Sequence, residues 1–149
     1  MSSNFPDDMF DAQAPHGTVR YVLHGFFVRS DKPLTLIMRH AGHSNPAYMN
    51  ARRKADLKLQ AYGDSVPIDV TLDHVIPVFA QTVIVGWENA IGRDGKPIPC
   101  TPDEVEACLR SLSKRNADVV NRALGHAVPA DHFRDVAAPM GTAEALGNG

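Results

Sequence analysis

The spacing of apolar residues divides the chain into a β-like front and a helical remainder. Between residues 18 and 39, apolar positions fall into two runs, and the polar, proline-containing segment 30–33 separates them. Two apolar runs joined by such a turn are typical of a β-hairpin. We therefore expect a small β-hairpin near the N-terminus.

The first helical pattern begins at Asn45 and Pro46. Asparagine caps helices well, and proline suits the first helical position. Apolar residues then recur every three or four positions, which is the spacing of one helical face, until Gly63. We predict a helix that begins at this cap and ends at Gly63.

Residues 71–87 fit two interpretations. Their apolar positions share one helical face that ends at Trp87. Residues 82–85, however, are rich in β-branched side chains, and Pro77 would interrupt a helix interior. We favour a helix that is kinked at Pro77 or begins near it.

Residues 101–104 form the clearest helix start in the chain. Threonine caps the helix, proline takes its first position and glutamate closes a capping box. A further helical pattern covers residues 120–127, and residues 129–136 could add one short helix. The sum is a mainly α (α+β) fold, in which about four helices pack with a small N-terminal β-hairpin.

A chain of 149 residues fits one domain. We expect a flexible N-terminal arm over residues 1–17, a single globular domain over residues 18–138 and a flexible C-terminal tail over residues 139–149. The arm is acidic and lacks the positive start and apolar run of a signal peptide.

Composition narrows the classes of partner. The formal net charge is −2, whereas a general nucleic-acid binder usually carries a basic excess. No apolar stretch is long enough to span a bilayer. We therefore expect neither a nucleic-acid nor a membrane partner, and a location in the cytoplasm of the cell that makes the protein.

Candidate chemistry is sparse. His40 and His43 could bind zinc from one turn, but a zinc site needs three or four ligands. Cys108 fits a packed thiol, and Cys100, just before a helix, has no identifiable base partner. No phosphate-binding loop, nucleophile elbow or metalloprotease motif is present in the sequence. We expect no cofactor, no metal and no catalytic residues, and hence a protein that is not an enzyme.

Four segments together resemble the tail assembly chaperones of long-tailed bacteriophages. Residues 85–91 match the end of an apolar helix that closes with Gly-Trp, and residues 94–99 match the Asp-Gly-x-Pro-Ile-Pro turn that follows it. Residues 101–105 match the next helix start, and residues 39–48 look like a segment that opens an early helix. Cys100 departs from the pattern, since an aromatic residue is common there.

The resemblance implies a binding function. Such chaperones coat the tape measure protein, the long helical ruler of the tail, and help tail tube subunits polymerise around it. It implies a host-cytoplasmic protein that is absent from the mature virion, with self-association as an open question. The expected partner-binding residues are large apolar ones, each of which could also belong to the core: Tyr48, Leu59, Tyr62, Phe79 and Trp87.

Two alternatives stay open. The chain could be a virion structural protein of the head, tail or decoration type, in which the acidic arm clasps a neighbour. It could also be a small enzyme or metal protein that uses His40, His43 and a cysteine. Presence in purified particles would identify the first, and metal analysis would identify the second.

Overall fold

The computed structural model describes residues 17–134. Within that range the chain forms three strands and four α-helices, with 3-10 turns after α1 and after α4. The mainly α (α+β) class that we predicted is confirmed. In chain order the elements are β1 (Val19–Val22), β2 (Thr35–Met38), α1 (Pro46–Leu59), a 3-10 turn (Gln60–Tyr62), α2 (Ile68–Thr82), β3 (Ile84–Glu88), α3 (Pro102–Arg115), α4 (Ala117–Gly125) and a 3-10 turn (Ala130–Phe133).

The predicted terminal segments fall largely outside this description. Of the N-terminal arm only Gly17 is described, and the C-terminal tail over residues 139–149 lies beyond the described residues. The short helix predicted over residues 129–136 is a 3-10 turn where it is described. No helix among residues 17–134 is both long and apolar enough to cross a membrane.

The sheet contains the predicted hairpin and one strand more. β1 pairs antiparallel with β2, and β3 pairs antiparallel with the other edge of β2. The helix predicted over residues 71–87 is therefore wrong in its last part, because α2 ends at Thr82. The β-branched residues Val83 and Ile84 are buried here, and pairing with β2 satisfies the backbone of the segment. Trp87 consequently lies on a strand, opposite Leu36.

Pro77 neither begins nor ends α2, so of the two predicted alternatives the helix start near this residue is wrong. The helix begins at Ile68 and contains Pro77 in its interior. Proline has no N–H, so the carbonyl oxygen of Asp73, four residues earlier, loses its helical donor. Arg110 of α3 compensates, because its Nη2 donates to that oxygen at 3.2 Å while its Nη1 pairs with the Asp73 carboxylate.

The two predicted helix caps are confirmed. Asn45 Oδ1 accepts from the Tyr48 N–H at 3.2 Å, and its Nδ2 donates to the last-turn carbonyl of Thr82 at 2.7 Å. Asn45 thus satisfies one end of α1 and one end of α2. Thr101 Oγ1 accepts from the Glu104 N–H at 3.3 Å, but the reciprocal half of the capping box is replaced by a Thr101 N–H bond to Pro99 O.

Candidate functional site

A concave groove of about 760 Å³ lies beside α3, and we call it the α3 groove. One wall is a face of α3, and the other is the loop of residues 25–29 between β1 and β2. Its floor comes from four side chains of the sheet and the following turn: Leu34, Trp87, Ala90 and Ile98.

The α3 wall is a stripe of exposed and half-buried residues beside the core-facing side of the helix. Val105 and Leu109 point into the core and are fully buried. The neighbouring stripe recurs at spacings of three and four residues and lines the groove: Glu104, Ala107, Cys108, Ser111, Leu112 and Arg115. From its first to its last residue the stripe is about 16 Å long, or three helical turns.

The loop wall is anchored at both ends by backbone hydrogen bonds. Leu34 N–H donates to Phe26 O at 2.9 Å, and Ile91 N–H donates to Val28 O at 3.0 Å. Arg29 adopts a left-handed backbone (φ 54°), and its guanidinium donates to Ile91 O at 3.0 Å. Phe27, between these anchors, is 55% exposed. An anchored loop thus holds a large aromatic ring in solvent at the edge of the groove.

A hydrogen bond of the indole N–H holds Trp87 in the floor of the groove. Its Nε1 donates to Ile98 O at 2.8 Å across the turn that Asp94 and Gly95 form. A tryptophan whose N–H is already paired offers its remaining ring surface for apolar contact. Trp87 is only half-buried, so part of that surface faces the open groove.

Three charged side chains lie along this apolar groove. Arg29 and Arg115 supply positive charge, and Glu104 supplies one negative charge at the opposite end of the α3 wall from Arg115. Within residues 17–134 none of the three forms an ion pair. Their charges are therefore free to pair with a bound segment.

The five residues predicted to bind a partner do not share one surface. Tyr48, Leu59 and Phe79 are buried in the core at 6%, 9% and 2% exposure. Tyr62 is half-exposed after α1, where its ring contacts His74 rather than the groove. Of the five, Trp87 alone lines the groove.

Sequence reasoning missed Phe27 and Leu112 as groove residues. One signal for the first was the run of three apolar residues 26–28, because consecutive side chains of an extended segment cannot all point to one side. A signal for the second was the breadth of the apolar face on α3, where Cys108 and Leu112 stay half-buried.

Four residues were candidates for chemistry in the sequence: His40, His43, Cys100 and Cys108. His40 is buried, with Nδ1 at 2.7 Å from Ser44 Oγ and Nε2 at 3.0 Å from Val128 O, so both ring nitrogens are engaged. His43 is exposed. Burial raises the pKa of the Cys100 and Cys108 thiols, which favours the protonated form over the nucleophilic thiolate. Within the described range, no three potential metal ligands of the His, Cys, Asp or Glu type are grouped.

One comparison with known proteins gives a match. A family model described as YdaY prophage protein covers residues 43–146, more than half of the chain and including all four α-helices. No curated protein and no solved structure matches the chain.

Proposed function

The chain belongs to the YdaY prophage protein family, and we propose that it is an assembly chaperone for the phage tail. In this proposal it binds the tape measure protein and helps recruit tail tube subunits. Family membership establishes the association with phage, and the open apolar groove supports the binding role.

The α3 groove is the observation that carries the proposal. It combines an exposed phenylalanine, a half-buried tryptophan and three apolar α3 residues that are exposed or half-buried, Ala107, Cys108 and Leu112. Its length of about three turns suits an amphipathic helix laid against α3, a common mode of peptide recognition. A long helical ruler exposes such apolar faces before it is enclosed, and exposed apolar faces aggregate.

Reversible coverage requires weak single contacts. Tail tube subunits must later displace the chaperone, so one groove should hold one segment only loosely. Several chaperones, or several segments of one ruler, would then give avidity without tight individual binding. Non-covalent coverage needs no catalysis, and we propose that the protein is not an enzyme.

Co-expression with the tape measure protein of the same prophage tests the proposal. Ala107 is exposed on the α3 wall, so A107R should fill the groove at little cost in stability. The matched control is A61R, which makes the same substitution at an exposed position after α1. We expect affinity capture of the tape measure protein by the wild type and by A61R, and its loss in A107R.

Three results would count against the proposal. Equal capture by all three proteins would remove the groove from the interaction, and no capture by the wild type would remove the tape measure protein as partner. Recovery of the protein as a stoichiometric component of purified particles would favour the virion structural alternative. The proposed chaperone is expected in the host cytoplasm and not in the mature virion.

A further inference from the structure

We infer that the α3 groove binds the chain's own N-terminal segment, centred on residues 5–11, when no partner occupies it. The segment lies outside the described residues, and the inference rests on the chemistry of the groove, on the composition of the segment and on the length of chain that joins them. Docking of the segment in the groove does not depend on the proposed function. Competition between the docked segment and a partner rests on the proposed function.

The segment has the composition that the groove requires. Phe5, Met9 and Phe10 supply large apolar side chains, and three aspartates at positions 7, 8 and 11 stand among them. Residues 1–16 contain no lysine or arginine. An acidic segment with interspersed apolar residues complements a groove that exposes phenylalanine and tryptophan between unpaired arginines.

The charges along the groove favour binding of the acidic residues at the Arg115 end. Arg115, in the last turn of α3, and Arg29, on the loop wall, have no carboxylate partner among residues 17–134. Glu104 is the groove's negative residue, about 16 Å from Arg115 along α3. The aspartates should therefore lie towards Arg115, and the apolar side chains should cover Trp87 and Leu112.

The chain is long enough for this contact. Gly17 precedes β1, and the loop wall begins eight residues later at Gly25, a distance of at most about 28 Å for extended chain. Met9 and Phe5 lie eight and twelve residues before Gly17, with maximal reaches of about 28 Å and 42 Å. Apolar residues of the segment can thus reach the loop wall of the groove in their own chain.

Tethering makes weak docking sufficient. A ligand joined to its site by a short linker has an effective concentration of about millimolar. An intrinsic dissociation constant of that order would fill the groove about half of the time. A partner that makes several contacts along its length could still displace the segment, so the segment would screen out weak and non-specific apolar ligands.

Trp87 reports directly on the groove, because it is the single tryptophan of the chain. The test variant replaces Phe5, Met9 and Phe10 by serine in the full-length protein. The matched control makes three serine substitutions near the other terminus, at Val136, Met140 and Leu146. We expect a red-shifted emission and stronger acrylamide quenching of Trp87 in the test variant, and a wild-type signal in the control.

A synthetic peptide of residues 1–16 then tests the charge complementarity. Added to the test variant, the peptide should restore the wild-type emission, and a scrambled peptide should not. R115E should weaken this binding roughly fivefold, as expected for reversal of an exposed charge. K114E makes the same charge change one residue earlier on α3, outside the groove lining, and should leave the affinity unchanged.

Three outcomes decide the inference. Identical Trp87 emission and quenching in wild type and test variant, with unchanged circular dichroism, would overturn it. A red shift of the wild-type emission on dilution would place the segment in the groove of a second copy and would overturn docking within one chain. If the Trp87 signals follow expectation but the test variant captures no more tape measure protein than the wild type, docking stands and competition is refuted.

Discussion

Two pairs of aromatic residues in this protein have opposite surroundings. Tyr48 of α1 and Phe79 of α2 pack edge to face with 5.4 Å between their ring centroids, and both are buried. Phe27 and Trp87 line the α3 groove, where the first is 55% exposed and the second half-buried. Core residues enclose the first pair, whereas part of the second pair stays open in the groove within residues 17–134. The tertiary neighbours, rather than the residue types, separate core from candidate contact surface.

The largest expected effect is the difference in stability between the two pairs. Phe79→Ala should lower the free energy of unfolding by about 3–5 kcal/mol, because it leaves a cavity in the core. Phe27→Ala removes an exposed ring and should cost no more than about 0.5 kcal/mol. Urea unfolding followed by circular dichroism measures both. Similar costs for the two substitutions would mean that Phe27 is not the exposed groove residue described above.

A second expected effect concerns the contact between Arg110 of α3 and Asp73 of α2. Arg110→Met removes the guanidinium from the Asp73 carbonyl oxygen that Pro77 leaves without a helical donor, and should cost about 1–2 kcal/mol. Pro77→Ala restores that donor. A double-mutant cycle measured by urea unfolding should therefore show a smaller cost of Arg110→Met in the Pro77→Ala background.

The control for this cycle is Arg122→Met, which breaks an exposed pair with Asp118 four residues away on α4. It should cost no more than about 0.5 kcal/mol in either background. Strictly additive costs for Arg110 and Pro77 would contradict the compensation between α2 and α3.

Local signals in the sequence predicted the helix starts at Asn45 and Thr101. They could not predict strand β3, which depends on long-range pairing. The caps at Asn45 and Thr101 act on backbone groups within three residues, so residue type and spacing suffice. β3 depends on pairing with β2, about fifty residues earlier in the chain. The pattern over residues 71–87 satisfied a helical face and a strand alike, and only the available sheet edge separates them.

The α3 groove depends even more on tertiary structure. It forms because the loop of residues 25–29 stands opposite α3, about eighty residues later in the chain. Sequence reasoning found Trp87 for its size, but on a helix that does not extend so far. It also proposed Tyr48 and Phe79 on the same ground, although α1 and α2 bury both. Apolar size alone does not predict which face stays open.

The smallest expected effect is a pH dependence of the folding stability that comes from His126, outside the α3 groove. The His126 ring stacks on the His132 ring with 4.3 Å between their centroids, and its centroid lies 5.0 Å from that of the Tyr21 ring. Burial, and then the charge of His132, lower the pKa of His126 below its ordinary value of 6.5. As the pH falls below 6.5, the unfolded chain binds a proton at this residue before the folded chain does, so stability decreases.

His126→Gln should therefore reduce the loss of unfolding free energy between pH 7 and pH 5.5. His43→Gln, at an exposed position, is the control and should leave the slope as in the wild type. Urea unfolding at several pH values measures the slopes. A steeper acid dependence in His126→Gln would contradict the direction of the pKa shift.

Site-specific photo-crosslinking in cells that assemble the phage tests most directly whether the groove contacts the tape measure protein. A photoreactive residue replaces Ser111, which lines the groove, or Asn121, which is exposed on α4 outside the groove lining. We predict a covalent adduct with the tape measure protein from position 111 and not from position 121. Adducts from position 121 alone, or from neither position while this protein and the tape measure protein are both present, would contradict the account.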